Sequence, residues 1–459
     1  MPSCALRRPV RFGARHSTRT KNGRRRLPCT VLGALLASRA VRDVRGGTLE
    51  GIRVLDLTGE AGFFAGKLLG DLGADVVKVE PPGGDPARRR PPFVGEKADP
   101  EASILWLSMN TSKRGITLDL DRPRGREIFL RLAERADVVI ESAPSASSPT
   151  LLSARGLGYE VLREKNPRLV LCSITPFGLD GPYRDYRGSD LTAVATGGNL
   201  YPTGNPDRPP VRCALPVSYY HGGIEAALGV VFALWGREET GQGQHLDVSL
   251  QEVMLMPNMT MPAQFPLTGH KGARTGGSFR GGKAIFRELW PCKDGYVSFA
   301  LRGGPARIPG ILALIRYMDE NGMAPDFLKE RDWSRYNHNT ISQEEVDRIE
   351  EAIGAFFRTK TMQELFEAAC ERHLMLAPAN TAREVLASRQ LAAREFFVEV
   401  EYPELGVRLP YPGAFARSSI GGIGIRRRAP RLGEHNEEVY AEIGLDGAAL
   451  AELRKEGVV

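Results

Sequence analysis

The first part of the chain alternates short apolar runs with stretches of helical periodicity. IRVLDLT (52–58) is apolar and β-branched, GEAGFFAGKLLGDLG (59–73) has helical spacing, and ADVVKVE (74–80) is a second buried-strand pattern. This order predicts a βαβ unit. The same alternation continues through GITLDL (115–120), PRGREIFLRLAERA (123–136), DVVIES (137–142), YEVLREKN (159–166) and RLVLCSI (168–174). Strands that alternate with helices predict an α/β fold with a parallel sheet covered by helices.

The second part of the chain has a different pattern. GGIEAALGVVFALWG (222–236) is apolar on nearly every side, which predicts a buried helix. GGSFRGGKAIFRELWPCKDGYVSFAL (276–301) places an Asp-Gly turn between two strand-like runs, so a smaller mixed domain is expected to begin nearby. Charged helical sequence follows over 308–373, then a proline-containing passage over 401–416 and two C-terminal helices in HNEEVYAEIG and GAALAELRKEG.

Composition narrows the class of protein. A chain of 459 residues with 42% hydrophobic and 25% charged residues is long enough for two or more globular domains. No apolar run approaches eighteen residues, which argues against a transmembrane helix and a membrane partner. The six cysteines are scattered without a CxxC pair, so neither a disulfide framework nor a metal site is expected, and a reducing cytoplasmic location fits best.

The positive charge of the chain is confined to its beginning. The formal net charge is +7, yet residues 1–47 hold twelve Lys or Arg and one acidic residue, which leaves −4 on the remainder. A slightly acidic body argues against a nucleic-acid partner. Residues 1–48 lack apolar periodicity and are predicted to be disordered, with the fold beginning near Leu49. A transit peptide, a short signal region and a translation start placed too far upstream all remain open for this extension.

The predicted βαβ unit invites comparison with a dinucleotide site. Gly59, Gly62 and Gly66 do not form the GxGxxG pattern, which argues against NAD binding. Basic residues nevertheless gather at the predicted carboxyl edge of the sheet, where a ligand with several phosphates, such as coenzyme A, would need cations. A solvated charged face is the alternative interpretation. The residues concerned are Lys78, Arg88, Arg89, Arg90, Lys113 and Arg114.

Six stretches, in order and at consistent spacing from Leu49 to Val459, together resemble the class III CoA-transferase family. That family includes formyl-CoA and carnitine CoA-transferases, with alpha-methylacyl-CoA racemases as relatives. The stretches are LEGIRVLDLT, LLGDLGADVVKVEPPGGDPAR, NTSKRGITLDL, GPYRDYRGSDLTAVATGGNLYPTG, ALGVVFALWGREETGQGQHLDVSLQEVML and RLGEHNEEVYAEIG.

The resemblance implies a fold, a ligand and an assembly. The implied fold is a Rossmann-like large domain with a parallel sheet plus a smaller α+β domain, in an interlocked dimer. The expected divisions are a basic extension (1–48), a large CoA-binding domain (49–250), a linker (251–280), a small domain (281–385) and a returning C-terminal segment (386–459). Coenzyme A, as a thioester substrate, would lie against the large domain. Its implied contacts are Lys78, Arg88, Asn110, Lys113 and Arg114.

The resemblance also implies an aspartate nucleophile. In the family an aspartate attacks the acyl-CoA thioester to give a mixed anhydride, and the returning CoA thiolate converts it to an aspartyl-CoA thioester that the acceptor acid then consumes. That aspartate precedes a glycine-rich helix start. Counting back from GVVFAL (229–234), its position falls on Tyr219, or on Ser218 with racemase-like spacing. Neither residue is a carboxylate, so the expected nucleophile is missing.

Three interpretations of the missing carboxylate remain open. The chain would be a non-nucleophilic CoA-binding subunit paired with an Asp-bearing paralogue, or a CoA-transferase that uses another carboxylate. Asp190 and Glu225 are the nearest acids in sequence, although Glu225 lies about 120° around the helix from Tyr219. Alternatively, the chain would be a lyase or racemase with acid–base chemistry from Tyr219, Tyr220 or His221, although Ser189 replaces the histidine that the racemases use.

Overall fold

A computed structural model of the protein describes residues 46–95 and 97–459. Residues 1–45, which make up most of the extension predicted to be disordered, lie outside the described residues, as does Glu96. The described residues belong to a single compact unit.

Thirteen β-strands lie in the described part of the chain. They are β1 (Arg53–Leu57), β2 (Asp75–Glu80), β3 (Lys113–Thr117), β4 (Val138–Ser142), β5 (Val170–Thr175), β6 (His245–Ser249), β7 (Ser278–Gly281), β8 (Ala284–Arg287), β9 (Leu289–Pro291), β10 (Tyr296–Phe299), β11 (Leu376–Pro378), β12 (Phe397–Tyr402) and β13 (Val407–Pro412).

Sixteen α-helices are found in the same residues. They are α1 (Phe63–Asp71), α2 (Ile104–Met109), α3 (Pro123–Ala133), α4 (Tyr159–Lys165), α5 (Asp190–Thr196), α6 (Val217–Thr240), α7 (Leu250–Leu255), α8 (Thr260–Thr268), α9 (Ile308–Glu320), α10 (Asp326–Lys329), α11 (Gln343–Phe357), α12 (Met362–Arg372), α13 (Ala382–Leu386), α14 (Arg389–Ala393), α15 (Asn436–Ala441) and α16 (Gly447–Lys455).

The first six strands form one parallel sheet in the order β3-β2-β1-β4-β5-β6. This confirms the predicted α/β fold with a Rossmann-like parallel sheet. Strands are added in one direction from β1 to β3 and in the other direction from β4 to β6. The topological switch point therefore lies between β1 and β4, where ligands of open α/β sheets usually bind outside the carboxyl ends of the strands.

Each face of this sheet carries its own hydrophobic core. Buried residues of α1 and α6 pack on one face, with Ala65, Leu69 and Ala226 against Val54 and Ile140. The opposite face is covered by α3, α4 and the two C-terminal helices. Both faces are thus covered over the central strands, which explains why β1, β4 and β5 are mostly apolar runs.

A separate core organises residues 284–376. Aromatic and aliphatic side chains of β8–β11, α9, α11 and α12 gather around Trp290, which is fully buried and donates its indole N–H to the carbonyl of Phe299. Strands β9 and β10 pair in antiparallel fashion across the predicted Asp-Gly turn. The segment predicted to be a linker (251–280) is not without regular structure, because the helices α7 and α8 occupy about half of it.

The C-terminal segment contacts the edge of the parallel sheet. The Tyr440 hydroxyl donates to the carbonyl of Thr117 at 2.5 Å, and Asn436 also bonds to Thr117. The proline-containing passage forms a β12–β13 hairpin in which Tyr402 packs beside Trp106 of α2. The expected domain boundaries themselves stay a prediction.

The long helix α6 differs from its prediction. Its inner face is buried, but four apolar side chains on the outer face remain exposed: Ile224, Leu228, Phe232 and Trp235. When a helix is apolar on every side, its sequence does not indicate which side packs against the rest of the chain and which side stays exposed. By length and hydropathy it is the one described helix that could cross a membrane, and it packs on the sheet of its own chain.

Candidate active site

A small cavity lies beside the carboxyl end of β1, next to the topological switch point. The cavity is formed where the β1–α1 loop, α2 and the first turn of α6 meet, three segments far apart in sequence. Its walls are mostly apolar, with one carboxylate and two phenols. The lining residues are Glu60, Phe64, Leu105, Met109, Pro216, Tyr219 and Tyr220.

The loop that leads into this cavity is fixed at the switch point. The backbone N–H of Gly59 donates to Oγ of Ser142, the last residue of β4, at 2.9 Å. Asp56 Oδ1 accepts from both the backbone N–H and the hydroxyl of Thr58. Glu60 therefore leaves a rigid turn and lies directly outside the carboxyl end of the sheet.

Tyr219 occupies the wall contributed by α6. Its hydroxyl oxygen accepts a hydrogen bond from the backbone N–H of Asp190 at 3.1 Å. Burial raises the pKa of Tyr219 above its ordinary value, and the negative charge of Glu60 adds to the increase. The phenol is therefore neutral at physiological pH. Burial also raises the pKa of Tyr220, whose ring lies edge-on to Phe64 at 5.7 Å.

The other predicted catalytic residues have different surroundings. Asp190 is buried, and its Oδ1 accepts from the backbone N–H and the hydroxyl of Ser218 at 3.0 and 2.8 Å. This contact caps the start of α6. His221 is exposed on the same helix, one turn beyond the cap. Their catalytic roles stay predictions, and of the three candidates Tyr219 alone is among the residues that line the described cavity.

The sequence reasoning missed Glu60. Its side chain is about one-quarter exposed and forms an ion pair with Arg90, whose side chain is 56% exposed. The backbone carbonyl of Arg90 accepts from the Ser103 hydroxyl at 2.7 Å, which ties the Arg90 loop to the start of α2. The available signal was the acid in TGEAGFF, directly after the first strand of a Rossmann-like unit.

Three of the predicted CoA contacts, two lysines and an asparagine, take part in a buried polar cluster around Asp56. The Lys113 ammonium donates to Asp56 Oδ2 at 2.7 Å and to the Asn110 side-chain oxygen at 2.9 Å. Lys78 donates to the carbonyl of Thr58 and lies 3.8 Å from Asp56 Oδ1. Burial lowers the pKa of Lys113 to about 8. Burial alone would raise the pKa of Asp56, but the two lysine charges hold it below its usual value.

The predicted arginine contacts are also internally paired. Arg88 is 1% exposed, makes two hydrogen bonds to Glu80 at 2.7 and 2.9 Å, and stacks over Trp106. Arg114 pairs with Asp75 and with two glutamates of the C-terminal segment. A cation already neutralised inside the protein is not presented to a phosphate. Contact of Lys78, Arg88, Asn110, Lys113 and Arg114 with coenzyme A therefore stays a prediction, one that requires these pairs to open.

Residues 46–95 and 97–459 contain no group of three or more His, Cys, Asp or Glu side chains arranged to hold a metal ion. The polar side chains at the cavity are the Glu60 carboxylate, two neutral phenols and the Arg90 guanidinium, beside an apolar wall.

Comparison with known proteins identifies the family. Residues 49–436 match the profile of CoA-transferase family III. The succinyl-CoA:(R)-benzylsuccinate CoA-transferase subunit BbsE of Thauera aromatica is 35% identical over 89% of this chain and 97% of its own length. The succinyl-CoA–D-citramalate CoA-transferase of Chloroflexus aurantiacus is 32% identical, over 90% of this chain and 98% of its own.

A solved structure agrees with this assignment. A CAIB/BAIF family protein from Brucella suis is 28% identical, covers 87% of this chain and 100% of its own, and superimposes with a TM-score of 0.75. Sequence and fold thus agree over nearly the whole described body. The chain belongs to CoA-transferase family III.

Proposed function

We propose that this chain transfers CoA between an acyl-CoA thioester and a carboxylic acid. The observation that carries the proposal is the family match over residues 49–436, together with relatives named CoA-transferases that align along nearly their whole length. The cavity at the switch point supports it, because that is where an α/β sheet of this order binds its ligand. Acyl-CoA and a free acid are the substrates, and no resident metal is part of the proposal.

The test is a CoA-transfer assay on the purified chain. Succinyl-CoA is the first donor, since it is named for both relatives, with a panel of mono- and dicarboxylic acids as acceptors. We expect a new acyl-CoA to appear by liquid chromatography with at least one acceptor. Failure to bind CoA and failure to transfer it, alone or with a related subunit, would refute the proposal.

A second candidate function is favoured by a specific observation. The position expected for the nucleophile holds Tyr219, a neutral phenol that accepts a hydrogen bond from the backbone of Asp190. A phenol at this position supports a role as the non-nucleophilic subunit of a heteromeric CoA-transferase. The relative from Thauera is itself named as a subunit.

The exposed face of α6 also supports this second candidate. Ile224, Leu228, Phe232 and Trp235 are spaced by four, four and three residues, so they lie on one side of the helix. Such a stripe beside a candidate site is typical of a protein interface. The occupant that fits is a second chain of the same family, either a copy of this one or an Asp-bearing relative.

The two candidates give different results in one experiment. Transfer by the chain alone indicates a self-sufficient enzyme. Transfer that appears only after an Asp-bearing family member is added indicates the subunit role. Co-purification of the two chains at fixed stoichiometry would accompany the second result.

A further inference from the structure

We propose that Glu60 supplies the carboxylate nucleophile that position 219 lacks. The inference rests on the proposed function of CoA transfer and names the residue that carries the covalent intermediate. Glu60 and Tyr219 line the same cavity, which brings a carboxylate from the β1–α1 loop next to the helix position where the family places its aspartate. Glu60 is the only carboxylate among the described lining residues.

The position of Glu60 suits attack on a ligand at the sheet edge. It follows the fixed turn at Thr58 and Gly59, so its backbone is held while its side chain faces the cavity. The side chain is partly exposed, in contrast to Asp56, which is fully buried and bound to two lysines. A reactive carboxylate must be reachable by the thioester, and Glu60 meets that requirement.

The surroundings of Glu60 supply the remaining groups. Arg90 balances its charge at the mouth of the cavity. Apolar walls from Phe64, Leu105 and Met109 limit water, which protects an anhydride or thioester from hydrolysis. The Tyr219 oxygen accepts from the Asp190 backbone, so the proton of its own hydroxyl remains available to donate to a developing oxyanion.

The other acids near the site are placed less favourably. Asp190 is buried and uses Oδ1 to cap α6 through Ser218. Its second oxygen lies 3.8 Å from Arg212. Glu225 is two turns into α6 and is not among the residues that line the described cavity.

The reaction balances without another reagent. The Glu60 carboxylate attacks the acyl carbon and the carbon–sulfur bond breaks. CoA departs as the thiolate, and a mixed anhydride between Glu60 and the acyl group is formed. The thiolate then attacks the Glu60 carbonyl carbon, releasing the donor acid as a carboxylate and forming a glutamyl-CoA thioester. The acceptor carboxylate attacks this thioester and expels the thiolate. Attack of the thiolate on the acceptor acyl carbon yields the new acyl-CoA and restores Glu60.

The experiment is intact-mass analysis of the full chain incubated separately with succinyl-CoA, glutaryl-CoA and acetyl-CoA. We expect a CoA adduct that mild hydroxylamine removes. Borohydride, which reduces a thioester to an alcohol, should mark Glu60 within the tryptic peptide 54–67 of the wild-type chain. Glu60→Gln keeps the shape but cannot form the anhydride, so the adduct and any transfer rate should fall by roughly 10³-fold or more.

Two further variants test whether loss of the adduct in Glu60→Gln has a cause other than loss of the carboxylate. Glu60→Asp keeps a shortened carboxylate and should retain part of the adduct. Glu288→Gln is the matched control, because Glu288 also forms a partly exposed ion pair with an arginine, Arg302, and is not among the cavity-lining residues. It should leave the adduct unchanged. Circular dichroism of each variant verifies its folding, and the wild-type peptide map does not depend on any variant.

The outcomes separate this inference from the proposed function. An adduct mapped to Glu60 supports both. Transfer accompanied by an adduct at Asp190, Glu225 or another residue overturns the Glu60 assignment and leaves the proposed function standing. Absence of any adduct with all three acyl-CoAs overturns the Glu60 assignment, and the transfer assay with an Asp-bearing partner then decides whether the subunit role holds.

Discussion

At the scale of single residues, two carboxylates four positions apart have opposite environments. Asp56 is fully buried and neutralises Lys78 and Lys113, whereas Glu60 faces a cavity and an exposed arginine. The first carboxylate ties β1 to β2 and β3 through charge, whereas the second is partly exposed and paired with Arg90 at the mouth of the cavity. Burial rather than residue type thus separates the structural role of Asp56 from the reactive role that we propose for Glu60.

Replacing Asp56 tests the structural role. Asp56→Asn leaves two buried ammonium groups without their counter-ion, so we expect the free energy of unfolding to fall by about 3–5 kcal/mol. Urea unfolding measures this change. Asp121→Asn is the control, because Asp121 is 74% exposed and pairs with Arg155 at the surface, and it should change stability by less than about 0.5 kcal/mol. Equal effects of the two substitutions would contradict the prediction.

The shifted pKa of Lys113 predicts a pH dependence. Its folded-state pKa of about 8 lies below the ordinary lysine value, so the unfolded chain binds the proton more tightly between these two values. Stability from this group therefore rises with pH above about 8, by at most about 1.4 kcal/mol per pH unit. The slope of unfolding free energy against pH from 8 to 10 should be more positive for the wild type than for Lys113→Met. Parallel slopes would show that Lys113 does not titrate differently on folding.

Much of the residue-level site could be anticipated, but its key contact could not. The family resemblance, counted back from GVVFAL, locates Tyr219, because the motif and the counted position lie in one short stretch of the chain. The neighbour of Tyr219 in the cavity is Glu60, which is more than 150 residues away in sequence and reaches it only through the packing of α1 on α6. No local sequence pattern indicates that these two residues are neighbours in the fold.

At the scale of elements, close contact between α1 and α6 sets the shape of the cavity. A Cβ atom at Gly223 would lie 2.9 Å from the Cβ of Phe64 and 3.0 Å from the backbone nitrogen of Ala65. Glycine at this position therefore lets α6 approach α1 closely enough to place Tyr219 and Tyr220 beside Phe64.

Two glycine substitutions on α6 should have opposite effects. Gly223→Ala forces the helices apart and should cost about 1–3 kcal/mol of stability. Gly236→Ala, on the same helix with open space around its Cβ, should instead stabilise by about 0.5–1 kcal/mol through helix propensity. Thermal and urea unfolding of both variants measure the difference. A stabilising Gly223→Ala would show that the contact is not tight.

At the scale of the whole molecule, one side of α6, the longest helix of the described residues, is not covered by the chain. Phe232 and Trp235 are 57% and 69% exposed at the end of the stripe on α6. Burial of such side chains is the usual driving force for association, and tryptophan is enriched where interfaces are strongest. The stripe is therefore the surface on which the proposed subunit contact would depend.

Substitution of the stripe tests the assembly. The double variant Phe232→Ser and Trp235→Ser should raise the dissociation constant of the homomer, or of the complex with an Asp-bearing relative, by roughly 10-fold or more. Sedimentation equilibrium measures this constant. Ile420→Ser, which removes an apolar residue that is 93% exposed elsewhere, should leave it unchanged. Unaltered association of the double variant would place the interface on another surface.

The sequence by itself determined the α/β class, the order of strands and helices in the first half, and the family. These properties follow from local periodicity and from motifs in a fixed order, both of which can be recognised without knowing the long-range contacts. Only the tertiary structure decided that four of the six predicted phosphate-binding cations are paired inside the protein, that Glu60 shares a cavity with Tyr219, and that α6 keeps an exposed apolar face. Each of these depends on which segments, distant in sequence, contact each other. Burial and charge pairing arise from those contacts and cannot be read from any one segment alone.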